Sequence, residues 1–304
     1  MIGNAKLLGA GLLGVLSIFL LSSIGFVSSA PPGAIDPYID GIFPEITPGF
    51  GGSWYLENAF PEVEVAAPVK VINFPSGDDL LVLCKTGRLW RINPETRAQT
   101  LILDITDRTV NYSEAGSVSV ALHPAFGDPA FPDKQLAFVF YRYKPEPEVQ
   151  THLGYNRLSK FAWDASAQRF VEDSEEILIQ QYDRNAWHNG GGLFFKDGLL
   201  YLALGDEGGP EFRNDSNQRL DRGLFSGLIR IDVDNDPSRS HPIRRQPVAN
   251  AAPPEGWPTE TYTQGYSIPN DNPWQSEAGD ILEEFYAIGI RSPYSTHFDA
   301  EDRS

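Results

Sequence analysis

The stretch WHNGGGLFFKDGLLYLALGDEGG, residues 187–209, carries one histidine and one aspartate on either side of a tight-turn signal. Asp197-Gly198 favours a two-residue hairpin turn, which pairs Lys196 with Leu199 and fixes every partner further along. In that register His188 falls opposite Glu207, one step from Asp206. A slip of one or two residues still leaves His188 and Asp206 at the same end of the ribbon. An aspartate beside an imidazole fixes its tautomer and raises the basicity of the other ring nitrogen, which can then take a proton from an alcohol or water. The consecutive Gly190, Gly191 and Gly192 leave room for something flat or bulky to approach the backbone. The same residues admit a structural reading, with His188 hydrogen-bonded at a strand end and Asp206 capping a glycine-rich turn.

Two further groups could join that chemistry. Arg291 ends the apolar run FYAIGI and is either a salt-bridge partner for the abundant carboxylates or a fixed donor to negative charge on a carbonyl or quinone oxygen. Glu114, in NYSEAG before VSVALHP, is either a rim charge or a polar contact inside a cleft. Other chemistries find little support. There is no HExxH or CxxC, and His123, His152, His241 and His297 are scattered. IDVDNDP lacks the glycine and later glutamate of a calcium-binding hand, so a solvated turn is expected there. Ser117, Ser119 and Ser226 sit in no nucleophile-elbow context. The single Cys84 lies in LLVLC as a small buried thiol.

The elements that must position these groups are short strands. VKVINFP, LLVLCKTGRLWRI, VSVALHP, QLAFVFYRY, LSKFAWD, EILIQ, GLFFKDGLLYLALG, GLIRIDVD and FYAIGIR are apolar runs split by turn signals, and helical periodicity is scarce. With 24 Pro and 28 Gly in 304 residues, this is an all-β pattern, a sandwich or a propeller, and the repeated hairpins favour the propeller. The long polar stretches at 236–258 and 276–280 are expected to decorate one rim. Acidic residues outnumber basic ones 41 to 24, and the resulting charge of -17 repels nucleic acid and anionic lipid. Residues 7–27 are uncharged and follow Lys6. They read as an export signal cleaved after Ala30, or as an uncleaved anchor long enough to span a bilayer. Either reading places the remainder outside the cytoplasm, periplasmic or secreted, with attachment to the membrane through 7–27 in the second. Residues 31–56 read as an extended leader.

Taken in order, ENAFPEVEVAAPVKV (57–71), EAGSVSVALHPAF (114–126), the His188 ribbon, GLIRIDVDNDP (227–237), GYSIPNDNPW (265–274) and EEFYAIGIRSPYSTHFD (283–299) resemble the glucose/sorbosone dehydrogenase family of quinoprotein sugar dehydrogenases, with its Hedgehog-interacting-protein-like relatives. The resemblance covers about residues 57–304 and implies a six-bladed β-propeller, here truncated after about four blades. It also implies pyrroloquinoline quinone (PQQ) and calcium as cofactors, a sugar or polyol as substrate, and an external electron acceptor. By position, His188 would be the general base, Asp206 its partner, and Arg291 a contact to the quinone. Glu114 stands where glutamine is common and Ser292 where asparagine is usual, both next to the cofactor, and Ser117–Val120 replace a more apolar segment. The expected activity is hydride transfer from a sugar or polyol carbon to PQQ. The alternative is a noncatalytic exported propeller that binds a protein or carbohydrate.

Overall fold

The computed structural model describes residues 57–75, 77–146, 151–208 and 218–297, so the predicted signal and leader lie outside the described residues. No helix among the described residues is long and apolar enough to cross a membrane. From Phe60 onward the chain forms one compact unit. Its first sheet is a meander of β1 (Pro68–Asn73), β2 (Leu80–Cys84), β3 (Arg88–Ile92) and β4 (Gln99–Asp104). The second contains β5 (Ser117–Leu122), β6 (Leu136–Tyr143), β7 (Gly154–Asp164) and β9 (Glu176–Asp183), with β8 (Arg169–Phe170) folded onto β7. The third begins with β10 (Gly190–Lys196), β11 (Leu199–Leu204) and β12 (Gly227–Ile231). A small ladder of β13 (Ser240–Pro242) with β15 (Ser267–Pro269) follows, and β14 (Tyr262–Thr263) returns to the edge of the second sheet. Last, β16 (Phe285–Ile288) completes the third sheet beside β12.

These sheets are propeller blades. Every neighbouring pair is antiparallel, and the first strand of the second blade, β5, lies against both β1 and β10. Strand β6 explains why blades stack this way. Ala137, Val139 and Tyr141 join the core shared with the first blade, while Phe138 and Phe140 join the core shared with the third. A strand covered on both faces is apolar throughout, as LAFVFY is. Each of those fully buried aromatic side chains contributes about 1.5–3 kcal/mol of transfer free energy. The second blade's outer edge is capped rather than left open. The Gln246 side chain accepts from Thr263 N at 2.8 Å and donates to Thr263 O at 2.9 Å, taking the place of a further strand.

Among the described residues there are three blades. After β16 the chain passes back along β10, with Tyr294 O and Thr296 N lying 2.6 and 2.7 Å from where Cβ atoms of Gly191 and Gly192 would stand. The predicted Asp197-Gly198 turn is present, with φ of 53° and 76° and Lys196 paired to Leu199, as a two-residue hairpin turn requires. Cys84 is buried and burial pushes its thiol up, which leaves it inert. The stretch 236–258 does more than decorate a rim, since it carries β13 and sends Asn250 back to Glu207.

Candidate active site

The His188 ribbon owes its geometry to a bulge. Partner numbers total 395 from Lys196↔Leu199 to Leu193↔Leu202, the register expected from the turn, but 394 at Gly190↔Leu204. Extended by two residues, the shifted register sets His188 across from Asp206 rather than Glu207. Gly190 makes this possible with a φ of 92°. The glycines do not leave the room expected of them. A Cβ at Gly190 would strike Ala203 O, one at Gly191 would strike Val118 and Tyr294, and one at Gly192 would strike Thr296. The space is filled by the chain itself, and a Cβ at Gly205 would collide with the His188 carbonyl oxygen.

His188 and Asp206 meet directly, Nδ1 to Oδ1 at 2.6 Å, with their side chains 14% and 9% exposed. A carboxylate accepts, so Nδ1 carries the hydrogen and Nε2 presents its lone pair. Asp206 is held in turn: Oδ1 also accepts from Gly208 N at 3.1 Å, and its own N–H donates to Arg291 O at 3.0 Å. Arg291 therefore reaches the pair through its backbone, while its side chain is exposed and forms no ion pair among the described residues. Ser226 pins this strand end, accepting from Gly289 N and Ile290 N and donating its hydroxyl to Ile290 O. Ser292 follows, exposed.

Three supports fix His188. Its backbone sits in the left-handed region, φ 57°, and its N–H donates to Glu114 Oε2 at 2.8 Å. Ala186, two residues earlier, packs with Val110 and Ala115 in a small apolar cluster. On the other side Asn189 accepts from Arg142 Nη1 at 3.1 Å and donates to Ala186 O at 3.0 Å. Arg142 and Asp183 form a wholly buried ion pair at 2.8 Å, and Asn156 Nδ2 and the Asn185 N–H also donate to the aspartate. Burial pushes the Asp183 carboxyl up and Arg142 opposes it.

Beside Asp206, Glu207 is 1% exposed and accepts from Asn250 Nδ2 at 2.7 Å. Burial, and then the charge of Asp183, push its carboxyl up to about 7. Because the folded state holds this proton more tightly than the unfolded chain, the group stabilises the fold fully below the ordinary carboxylate range. That contribution is lost as pH rises toward 7. Glu284, likewise pushed up to about 7 by burial, acts with the same sign. Glu207→Gln is therefore expected to reduce the stability lost between pH 5 and 7.5, by a change on the order of 2 kcal/mol. Urea unfolding at both pH values reads this, and an unchanged slope would refute the assignment.

A cavity of about 190 Å³ adjoins Glu114, lined also by Val69, Lys85, Ser113, Ser117, Val118 and Tyr294. The Ser117 hydroxyl, in a residue 1% exposed, has no hydrogen-bond partner among the described residues. Lys85 donates to Ser113 O across it. Sequence reading missed Lys85, which marks only a turn in KTG, because β1, β5 and the chain after β16 meet here from distant positions. The acidic run after Ile231 is a turn with its tip exposed at Asn235 and Pro237, as expected, but its first carboxylate is buried and satisfied within the turn. Asp232, wholly buried, accepts from Arg239, Ser240 and the N–H groups of Asp234 and Asp236, and Asp234 faces His123 and Lys134. No group of three His, Cys, Asp or Glu among the described residues could hold a metal ion.

The family model of glucose/sorbosone dehydrogenase matches residues 65–254. HIPL1 protein of Arabidopsis thaliana is 33% identical over 113 residues, 37% of this chain and 14% of that protein. Among solved structures, a glucose dehydrogenase superposes with a TM-score of 0.51 at 18% identity, covering 75% of this chain and 57% of the other. A putative oxidoreductase (glucose dehydrogenase) from Thermus thermophilus also gives 0.51, at 17% identity over 78% and 54%. The chain thus spans just over half of these two structures and a much smaller share of HIPL1. These likenesses show the β-propeller fold.

Proposed function

We propose, from the premise that this chain belongs to the glucose/sorbosone dehydrogenase family, that its blades carry the base half of a PQQ-dependent sugar or polyol dehydrogenase. The observation that carries this reading is the 2.6 Å contact between His188 Nδ1 and Asp206, which leaves Nε2 as the proton acceptor. Oxidising an alcohol carbon removes a hydroxyl proton and a carbon-bound hydrogen with two electrons. Nε2 of His188 takes the proton, and Asp206 stabilises the imidazolium that results. Arg291, tied by its carbonyl to Asp206, offers an exposed guanidinium to negative charge developing on an oxygen nearby. The overall charge of -17 suits a neutral sugar better than an acidic substrate.

The residues present fit the quinone in kind. The unpartnered Ser117 hydroxyl and the Lys85 ammonium line a cavity next to Glu114, and Arg291, outside that lining, is an exposed second cation tied by its backbone to Asp206. Arg291, Lys85 and Ser292 are the residues that would hold PQQ, which when bound supplies the two-electron acceptor. Calcium, which the resemblance implies, finds no group of three His, Cys, Asp or Glu among the described residues, and no step is assigned to it. An external electron acceptor completes the cycle. An exported location, periplasmic or secreted, rests on residues 7–27 read as a signal, or membrane-anchored if they stay attached.

The test is reconstitution of the chain with PQQ, with and without calcium, followed by dye reduction across a panel of sugars and polyols. Turnover above the level without PQQ is expected. Absence of both PQQ binding and turnover would favour the second reading, an exported propeller that binds a protein or carbohydrate without catalysis. The 33% identity to HIPL1 and the exposed Trp187 and Tyr294 near the site are what favour that alternative.

A further inference from the structure

We propose that Glu114 is a positioning residue for His188: its carboxylate holds the His188 backbone in the left-handed conformation that aims the imidazole at Asp206. This rests on reading His188 as the base. By position in the sequence Glu114 would be a cofactor contact, but the structure gives its Oε2 a different task, accepting the His188 N–H at 2.8 Å.

The loop that delivers Glu114 is itself fixed. Ala115 N donates to Tyr112 O at 2.9 Å, and Ser117 N donates to Lys85 O at 2.8 Å. Lys85 Nζ donates to Ser113 O, and Gly116 passes so close to Lys85 that a Cβ would lie 2.6 Å from its carbonyl oxygen. Ala115 then packs on Ala186, two residues before the histidine. A rigid loop therefore presents a charged acceptor to one N–H on the neighbouring blade, and a charge-assisted bond of that kind is stronger than a neutral one. His188 needs such a brace because non-glycine residues rarely hold a φ of 57° unaided. Once the backbone is set, the side chain leaves at the angle that brings Nδ1 to 2.6 Å from Asp206. Glu114→Gln keeps an acceptor oxygen in place, whereas Glu114→Ala removes it and Glu114→Asp withdraws it by one methylene.

Proton NMR of the full chain with nitrogen-labelled histidine, without cofactor or sugar, tests this. The Nδ1 proton shared with Asp206 is expected as a low-field resonance in the unsubstituted protein and in Glu114→Gln. It should vanish into exchange in Glu114→Ala, with the amide dispersion unchanged, and in Glu114→Asp, which serves if the alanine variant does not fold. Asp206→Asn, losing the resonance, assigns it. Persistence of the signal in Glu114→Ala or Glu114→Asp, or its loss in Glu114→Gln, would overturn the proposal. In the reconstituted enzyme the alanine variant should lose about 10-fold to 100-fold in kcat with KM little changed, and the glutamine variant should recover most of it. Since the NMR signal needs no turnover, an inactive protein with a braced histidine would sink the dehydrogenase reading alone.

Discussion

Replacing His188 by alanine is expected to lower kcat of the reconstituted protein by about two to four orders of magnitude, the usual worth of a positioned general base. The fold should survive, because the ring is not a core residue: its side chain is 14% exposed and its hydrogen bond goes to Asp206 at the strand end. Thermal unfolding should move little while dye reduction collapses. Asp206→Asn should fall in the same direction but for a different reason. An amide at that position can donate to Nδ1, which moves the ring proton to Nε2 and removes the lone pair that takes the substrate proton. The two variants part in their response to pH: raising it should recover some activity in His188→Ala, where hydroxide replaces the base, and little in Asp206→Asn. Unchanged turnover in His188→Ala would mean that another group takes the proton.

How much of this arrangement could be read from residues alone depends on how far apart its partners lie in the chain. The hairpin from Gly190 to Leu204 was legible because Asp-Gly dictates its turn and alternation dictates its faces. Its last step was not, since the bulge at Gly190 depends on Gly191 and Gly192 meeting Tyr294 and Thr296, about a hundred residues later. A separation of 74 residues likewise hid the contact between Glu114 and the His188 N–H. A carboxylate in NYSEAG carries no sign that a backbone donor on another blade will face it. Strand β4, QTLILD, escaped notice because its polar start follows the loop NPETRA without a glycine or clear alternation, and only pairing with β3 makes it a strand. Conversely, β6 was plain, because burial on both faces demands the uninterrupted apolar run that the sequence displays. Arg291 falls between the two cases. Its strand end was evident, but only the fold reveals that its carbonyl, and not its guanidinium, makes the bond to Asp206.

Breaking the ion pair behind the histidine should have the largest effect on stability. Arg142 and Asp183 are 1% and 0% exposed, so removing one charge strands the other where water cannot reach it. Asp183→Ala is expected to cost about 3–5 kcal/mol in urea unfolding, as is Arg142→Ala. The guanidinium has little slack to absorb the loss: its Nε already has no partner, and its Nη atoms are spent on Asn156, Asn189, the His152 carbonyl and Asp183. A double replacement, Arg142→Met with Asp183→Leu, should cost clearly less than the two single losses combined, because no unpaired charge is left behind. Strict additivity would show that the pair is not coupled. The pH dependence of stability in the milder Asp183→Asn should separate two roles for this network. It keeps a polar group for the Asn185 N–H while removing the charge that helps push Glu207 upward. Its stability should therefore lose part of its fall between pH 5 and 7.5, even as the network that steadies Asn189 beside His188 loosens. A pH dependence left unchanged by this substitution would mean that the charge of Asp183 adds nothing to the burial that raises Glu207.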